Sequence, residues 1–187
     1  MNVSEEKKLI RKETLSKRDL ITEKERLLKS KIIIDNVLGL PEWEEAKEIY
    51  LFASFGSEPN TFPLIENALK NGKRVSLPRI IKKEMKFIEI NSLGDLVPGT
   101  WGILEPKDLG MYNERPGIVI VPGVAFGRNF YRVGYGAGYY DRFFSKRKKD
   151  FKMFAIGFDF QLKNQVPHDE FDVAVDIVIT DKDIIRQ

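Results

Sequence analysis

The sequence predicts an α/β fold with one mainly parallel, twisted sheet that helices cover on both faces, a Rossmann-like three-layer arrangement. Two observations lead to this prediction. Short apolar runs rich in β-branched residues alternate with segments of helical periodicity, and glycine or proline residues separate them. This βαβ rhythm gives parallel strands with helices on the faces of the sheet. The 187 residues are predicted to form a single domain, 1–187, because a chain of this length buries roughly 70% of its unfolded surface in one core.

Two helices are predicted at the start of the chain. Ser4 and the two glutamates after it are typical of a helix N-terminus, where acidic residues face the positive end of the helix dipole. Thr22 and Glu25 have the spacing of a capping box and open a second helix that extends to about Leu38. We expect aliphatic residues of this second helix to form its buried stripe: Leu27, Leu28, Ile32, Ile34 and Leu38.

Six apolar runs are predicted to be strands. They cover residues 48–54, 74–80, 85–90, 117–126, 153–160 and 173–180. One helix, 61–71, separates the first two strands, and another, 140–148, follows the fourth strand. In such sheets ligands bind beyond the carboxyl ends of the strands. Glu58, just after the first strand, is therefore either a ligand contact or an exposed loop acid.

Composition narrows the possible chemistry. The chain has no cysteine, which excludes disulfides and thiol nucleophiles, and its single histidine, His168, argues against a histidine metal site or a Ser-His relay. Phosphoryl transfer stays possible because it needs mainly positioning and cations. No run approaches the roughly 20 apolar residues of a membrane span, and the N-terminus lacks a signal-peptide core. We therefore expect a cytoplasmic protein without a membrane partner, and the net charge of +3 does not require nucleic acid.

The strongest indication of function is the segment RNFYRVGYGAGYYD, residues 128–141. Glycine at every second position lets another molecule approach the backbone, and the N–H groups at the start of the following helix favour phosphate or carboxylate. Arg132 precedes the glycines and Asp141 follows them, which adds a cation and a carboxylate. The loop supplies three ring surfaces for stacking: Tyr135, Tyr139 and Tyr140. These features favour a nucleotide with its metal; the alternative is a glycine-rich turn whose tyrosines close the core.

Neither standard nucleotide motif is present. The dinucleotide fingerprint G-x-G-x-x-G requires glycine where Tyr139 stands, and the phosphate loop G-x-x-x-x-G-K-[ST] is absent.

Three other features have two interpretations each. Lys7 and Arg11 share a helix face and are ligand contacts or surface charges. Residues 165–176 contain four carboxylates that suit Mg²⁺ or form an acid-rich turn. Trp101 is a lid or ring-stacking residue, or it fills the core.

The segment VPGVAFGRNFYRVGYGAGYYDRF resembles the signature of the 5-formyltetrahydrofolate cyclo-ligase family. The likeness continues in FASFGSEPNT, GKRVSLPR, TWGILEP and QVPHDEFDVAVDIVIT. It implies an enzyme that uses ATP and Mg²⁺ to convert 5-formyltetrahydrofolate into 5,10-methenyltetrahydrofolate, with release of ADP and phosphate. In this chemistry the formyl oxygen attacks the γ-phosphate and N10 traps the resulting iminium phosphate, so no side-chain nucleophile is required. We expect these two substrates as partners, no nucleic acid, and a monomer.

The resemblance also implies roles for single residues. The implied ATP contacts are Lys7, Arg11, Arg132, Gly134, Tyr135, Gly136, Ala137, Gly138, Tyr139 and Tyr140. The implied folate contacts are Ala53, Glu58, Trp101 and the stretch from Tyr135 through Gly136, Ala137 and Gly138 to Tyr139. Asp141 and Asp172 match the metal ligands, and Arg132 and Asp141 are the expected catalytic residues.

Three departures from the family pattern are present. Relatives often carry glycine or lysine at the position of Ala137, histidine at that of Phe171, and a more acidic start to the hairpin where this chain has Arg128-Asn129. We expect the anionic glutamyl tail of folate to lie toward a basic rim at Lys146 to Lys149, a run that is otherwise a solvated helix face. Two other functions stay open: a non-catalytic folate- or nucleotide-binding module on the same fold, and an RNA-associated protein that uses the basic N-terminal helix.

Overall fold

The structure, a computed structural model, describes residues 2–107 and 111–187 of the chain. The helices are α1 (Val3–Arg18), α2 (Glu23–Leu38), α3 (Pro41–Glu45), α4 (Phe62–Lys70) and α5 (Tyr139–Phe144). The strands are β1 (Glu48–Tyr50), β2 (Arg74–Ile81), β3 (Glu84–Ile90), β4 (Leu96–Pro98), β5 (Leu104–Pro106), β6 (Gly117–Val121), β7 (Ala125–Gly127), β8 (Arg132–Val133), β9 (Phe151–Ile156), β10 (Leu162–Lys163), β11 (Ile177–Ile179) and β12 (Ile184–Arg186). No helix within these ranges has the length and apolar character that crossing a bilayer requires.

The largest sheet in the described part of the chain has seven strands in the order β12-β11-β9-β6-β1-β2-β3. Neighbouring strands from β11 to β2 run parallel, and the edge strands β12 and β3 run antiparallel to their neighbours. The predicted α/β class with a mainly parallel sheet is therefore confirmed. From β1 the chain first adds β2 on one side and later β6 on the other. The strand order thus reverses between β1 and β6, where ligands bind in folds of this type.

Alternate residues of β1 face opposite layers, as the period of a strand requires. Ile49 packs among buried side chains of α2, α3 and α4, whereas Tyr50 packs on the other face with Phe143 and Phe144 of α5. Both layers are apolar, and full burial of one large aliphatic or aromatic side chain stabilises the fold by about 1.5–3 kcal/mol. Helices therefore cover both faces of the sheet, as predicted.

The N-terminal helices correct two predictions. Asn2, not Ser4, caps α1: its side chain accepts a hydrogen bond from the Glu5 N–H, and the Glu5 carboxylate accepts one from the Asn2 N–H. Thr22 does cap α2, where its hydroxyl accepts from the Glu25 N–H at 3.2 Å. The predicted buried stripe of α2 was largely wrong: Leu27, Leu28 and Ile32 are 44%, 58% and 45% exposed.

The face of α2 that is actually buried carries a polar residue. Ser30, Ile33, Ile34 and Val37 follow the i, i+3, i+4, i+7 spacing of one helix face. The Ser30 hydroxyl donates to the Arg26 carbonyl at 2.6 Å and accepts from the Asn60 N–H at 2.9 Å. These two hydrogen bonds let a polar side chain occupy the core-facing position that hydrophobicity alone did not indicate.

Several strands are shorter than predicted, and β1 is the most informative case. It ends at Tyr50, although residues up to Ala53 stay buried. The Thr61 hydroxyl donates to the Phe52 carbonyl at 2.6 Å and accepts from the Ser54 N–H at 3.0 Å. The Leu51 N–H still donates to the Ser76 carbonyl of β2 at 2.9 Å, and side-chain hydrogen bonds replace the sheet ladder beyond Leu51. The chain turns away from the sheet at this point and leaves a space at its carboxyl edge.

Candidate active site

A cavity of about 230 Å³ opens at the carboxyl ends of β1 and β6, at the reversal of the strand order. Most of the predicted site residues line it: Ala53, Glu58, Trp101, Arg132, Gly134, Tyr135, Ala137, Gly138, Tyr139, Tyr140 and Asp141. The remaining ones, Lys7, Arg11, Gly136 and Asp172, contact the same loops from the side of α1 and of residues 169–173. The structure therefore gathers residues from distant parts of the sequence around one space.

The glycine loop lies between β8 and α5. Gly136 and Gly138 have φ angles of +110° and +64°, a backbone region that side chains disfavour. The Arg11 Nε donates to the Gly134 carbonyl at 2.7 Å, and its guanidinium carbon lies 3.7 Å from the position that a Cβ on Gly136 would take. The positive φ angles account for glycine at positions 136 and 138, and Arg11 docks α1 against the loop through its hydrogen bond to the Gly134 carbonyl.

One corner of the cavity is strongly ionic. The Arg132 Nη2 lies 3.1 Å from the Asp141 Oδ1, and the arginine side chain is only 4% exposed. Arg132 also donates from Nη1 to the Val173 carbonyl at 3.1 Å, and the Val173 N–H donates to the Asp141 Oδ1 at 3.1 Å. Lys7 pairs with Asp172, the residue before Val173. The two predicted metal ligands, Asp141 and Asp172, thus approach the same short segment.

A second polar chain borders the same cavity. The buried Arg18 donates from Nη2 to the Tyr135 hydroxyl at 2.6 Å, and this hydroxyl donates to the Glu58 Oε1 at 2.7 Å. The Glu58 Oε2 accepts from the Phe55 N–H at 3.0 Å. Burial raises the pKa of Glu58, and the hydrogen bonds and the Arg18 charge oppose that rise only in part. Burial, with the nearby Glu58 charge, also raises the pKa of Tyr135. Glu58 is 2% exposed, so the loop-acid interpretation is wrong.

Arg18 was not predicted, although the sequence contained a signal for it. Lys7, Arg11, Thr14 and Arg18 recur at i, i+4, i+7 and i+11, which places them on one face of α1. Thr14 and Arg18 are each 2% exposed, while Leu9 on the same helix is 46% exposed. This helix buries a polar face and leaves apolar residues in solvent, which is typical of an element that serves a site.

Tyr140 contributes a buried hydroxyl to the cavity wall. Its oxygen has no hydrogen-bond partner among the described residues, and the Arg132 guanidinium lies 5.9 Å from the centre of its ring. Burial raises the pKa of this hydroxyl, so it stays protonated. An unsatisfied buried donor costs about 1–3 kcal/mol. A ligand oxygen in the cavity would remove this cost.

The surroundings of Trp101 decide between its two interpretations. Trp101 borders the cavity but is 79% exposed, so the core interpretation is wrong, and the lid or stacking role stays a prediction.

Lys148 and Lys149 border a separate, shallow depression of about 680 Å³ at the amino ends of the strands. Lys148 forms an ion pair with Asp176 there. The basic run is thus at the edge of the sheet opposite to the cavity, and the predicted glutamyl-tail rim at Lys146 to Lys149 was wrong.

An open, mainly parallel sheet with a cavity at its switch point, lined by apolar side chains and a few polar ones, defines a small-molecule-binding α/β protein, and the cations around the glycine loop suit an anionic ligand. Within that class the chain belongs to the 5-formyltetrahydrofolate cyclo-ligase family, whose sequence profile matches residues 3–181. The predicted family is therefore confirmed, and with it the prediction of an enzyme, a ligase.

Known proteins agree along nearly the whole chain. It is 33% identical over 172 residues to a probable 5-formyltetrahydrofolate cyclo-ligase of Schizosaccharomyces pombe, covering 82% of this chain and 84% of the relative. It is also 33% identical over 144 residues to the 5-formyltetrahydrofolate cyclo-ligase of Escherichia coli K12, covering 72% and 78%. The solved structure of Aquifex aeolicus 5,10-methenyltetrahydrofolate synthetase superposes with a TM-score of 0.85 at 33% identity, covering 96% of this chain and 92% of that one.

Proposed function

We propose that the protein closes 5-formyltetrahydrofolate to 5,10-methenyltetrahydrofolate at the expense of ATP, with release of ADP and phosphate. The observation that carries this proposal is that one cavity brings together two chemically distinct groups. Arg132 and Asp141 line it beside the glycine loop, and the buried Glu58 lines it as well. Such a space suits a triphosphate and a polar heterocycle held next to each other.

The ionic corner is assigned to ATP. Lys7, Arg11 and Arg132 supply positive charge, and the backbone of the glycine loop offers N–H groups to phosphate oxygens. Cations aimed at the transferring phosphoryl group are the main protein contribution to phosphoryl transfer. The Tyr140 hydroxyl has no hydrogen-bond partner among the described residues, so it adds a free donor to the cavity wall.

The two carboxylates fit Mg²⁺. Every described contact of the Asp141 carboxylate falls on Oδ1, and every described contact of the Asp172 carboxylate falls on Oδ2. Each acid therefore keeps one oxygen that takes no hydrogen bond from the described residues. Mg²⁺ accepts one or two carboxylates together with phosphate oxygens, and when bound it neutralises charge on the phosphates.

Glu58 is assigned to the pterin. The adjacent N3–H and 2-amino groups of a pterin are two donors side by side, and a carboxylate accepts such a pair with both oxygens. The Glu58 carboxylate is held in place by the Phe55 N–H and the Tyr135 hydroxyl. Ala53 and Trp101 border the same part of the cavity, which fits the predicted contacts on the faces of a ring.

The reaction then needs positioning and charge stabilisation from the protein, and no side-chain nucleophile. The formyl oxygen forms a bond to the γ-phosphorus while the bond to ADP breaks. N10 next adds to the formyl carbon, the N10 proton passes to the phosphate group, and the former formyl oxygen leaves within inorganic phosphate. The absence of cysteine is compatible with this scheme, because no side chain becomes covalently attached to substrate.

Turnover of the purified protein tests the proposal. With Mg-ATP and 5-formyltetrahydrofolate, we expect the near-ultraviolet absorbance of the methenyl product to rise and ADP to form in equal amount. Binding of 5-formyltetrahydrofolate without either product would favour the non-catalytic module instead. Steeply salt-dependent RNA affinity without turnover would favour the RNA-associated alternative.

Lys7→Ala tests the ATP assignment. The Lys7 ammonium pairs with Asp172 and lies 3.3 Å from the Asp169 Oδ2, at the corner assigned to phosphate. We expect the KM for ATP to rise about tenfold, because one charge-assisted hydrogen bond is lost, with little change in the KM for folate. Steady-state kinetics with each substrate varied in turn checks this expectation. Lys8→Ala, on the same turn of α1, is the matched control, and an effect limited to folate would contradict the assignment.

Arg18→Met tests a positioning role for the unpredicted arginine. Loss of the guanidinium leaves the Tyr135 hydroxyl without its donor and removes the positive charge that lowers the pKa of Glu58, so this pKa rises further. We expect the KM for folate to rise about tenfold and its pH dependence to shift to higher pH, with an unchanged KM for ATP. Arg18→Lys should recover part of the loss. Equal changes in both KM values, without a shift in the pH profile, would indicate a purely structural role.

A further inference from the structure

The hairpin of β2 and β3 forms one wall of the cavity and extends beyond it. Pro78 and Ile80 of β2 and Met85 of β3 line the cavity. Ile80 is paired with Met85, and the next pair, Ile81 with Glu84, closes the strands. The two residues of the turn, Lys82 and Lys83, therefore follow directly on the wall of the cavity.

The turn has an unusual composition for its backbone. Lys82 and Lys83 have φ angles of +49° and +67°, so both lie in the left-handed region. Two-residue hairpin turns of this type favour Asn-Gly, because residues with long side chains are strained there. Both lysines are exposed, and neither ammonium group has a hydrogen bond or ion pair with the described residues. Strained residues that persist in a structure often serve a function. The hairpin thus presents two positive charges that no described residue neutralises.

The arrangement of the cavity indicates what these charges meet. Glu58 is a buried part of the lining, and Arg132 with Asp141 forms the ionic corner. If the pterin donors face Glu58 and the formyl group faces the ionic corner, the apolar part of the lining stays available for the rest of folate. Ile80 and Met85 belong to this apolar part, which suits the p-aminobenzoyl ring.

We propose that the β2–β3 turn binds the carboxylates of the γ-glutamyl tail of folate, a proposal that rests on the folate-binding function proposed above. The distance fits: two strand residues from Ile80 to Lys82 span about 7 Å, and a lysine side chain extends further. Each additional glutamate of the tail adds one carboxylate. The two lysines therefore favour folates with longer tails over the monoglutamate.

Lys82→Asn combined with Lys83→Gly tests the proposal. The double variant removes both charges and installs the residue pair that the turn prefers, so the hairpin is retained. We expect the KM for 5-formyltetrahydrofolate triglutamate to rise about 3- to 10-fold, the range for exposed ion pairs. The KM for the monoglutamate should rise by less, because its tail carries fewer carboxylates, and kcat should change less than about twofold. In the wild type, about 0.5 M salt should remove most of the preference for the triglutamate, because ions screen exposed charges at this concentration.

Lys146→Ala combined with Lys149→Ala is the matched control, because it removes two exposed lysines at the opposite edge of the sheet. The control should leave both KM values unchanged. Equal effects of the hairpin variant on monoglutamate and triglutamate, an equal effect of the control, or no triglutamate preference in the wild type would each overturn the proposal. Wild-type turnover of the monoglutamate tests the cyclo-ligase function separately, so the two proposals fail by different results.

Discussion

Asp141→Asn should lower kcat about a hundredfold and leave a folded protein. The asparagine oxygen can still accept from the Val173 N–H and from Arg132, so the local hydrogen bonds at 3.1 Å survive. What disappears is the negative charge that we assign to the metal, and loss of one such electrostatic contact typically costs about 10²–10³ in kcat. The weakened pair with the buried Arg132 should cost about 1 kcal/mol of stability, or a fall in Tm of about 2–4 °C.

Turnover measured across a range of Mg²⁺ concentrations checks this prediction. The defect should be largest at limiting Mg²⁺ and should shrink as the concentration rises, because a weakened site is refilled by mass action. Asp169→Asn is the matched control: Asp169 lies at the same corner, 3.3 Å from the Lys7 ammonium, but has no assigned metal role. Wild-type turnover of Asp141→Asn at limiting Mg²⁺ would refute the metal assignment.

Glu58→Gln should raise the KM for folate roughly 10- to 100-fold, since hydrogen bonds to a charged partner contribute about 1.5–3 kcal/mol. The carboxylate presents two acceptors to the two pterin donors. The glutamine amide presents one acceptor and one donor, so its donor faces a pterin donor and that contact becomes repulsive. The KM for ATP should change less than about twofold. Glu66→Gln, at an exposed position of α4, is the matched control and should change neither constant. An equal loss of ATP affinity would move Glu58 out of the folate site.

The same variant makes a prediction about stability with a defined sign. Burial raises the pKa of Glu58 above its ordinary value of about 4.3. Between the two pKa values the folded protein keeps a proton that the unfolded chain releases, so the wild type loses stability as pH rises through this window. The glutamine of the variant cannot ionise and has no such loss. The Tm of Glu58→Gln relative to wild type should therefore increase from pH 4 to pH 8, and a relative Tm that falls over this range would contradict the raised pKa.

Sequence reasoning succeeded where a local pattern and the tertiary fold impose the same requirement. The strand runs ending near Ala53 and Pro122 predicted a parallel sheet, and the rule for such sheets then located the cavity. The glycine spacing around Gly136 reflects the positive φ angles of the loop, a local requirement that can be recognised from the residues of the loop alone. For these features no knowledge of distant contacts was necessary.

It failed where burial is decided by partners far along the chain. Ser30 is buried because Asn60, thirty residues away, supplies its donor. Arg18 is buried because Tyr135 accepts its N–H and in turn donates to Glu58. The run that starts at Lys146 has the right charge for an anion, but α5 carries the chain to the amino edge of the sheet before the run begins. Charge in a sequence does not specify at which end of a sheet it will lie.

The two tryptophans differ in exposure, so the intrinsic fluorescence of the protein can report ligand binding. Trp43 is 2% exposed in the core, whereas Trp101 is 79% exposed beside the cavity. Emission from the first should be blue-shifted and hard to quench, and emission from the second red-shifted and open to iodide. Any compound that settles against the Trp101 indole will therefore change the fluorescence spectrum, with Trp43 as the internal standard and no dye attached.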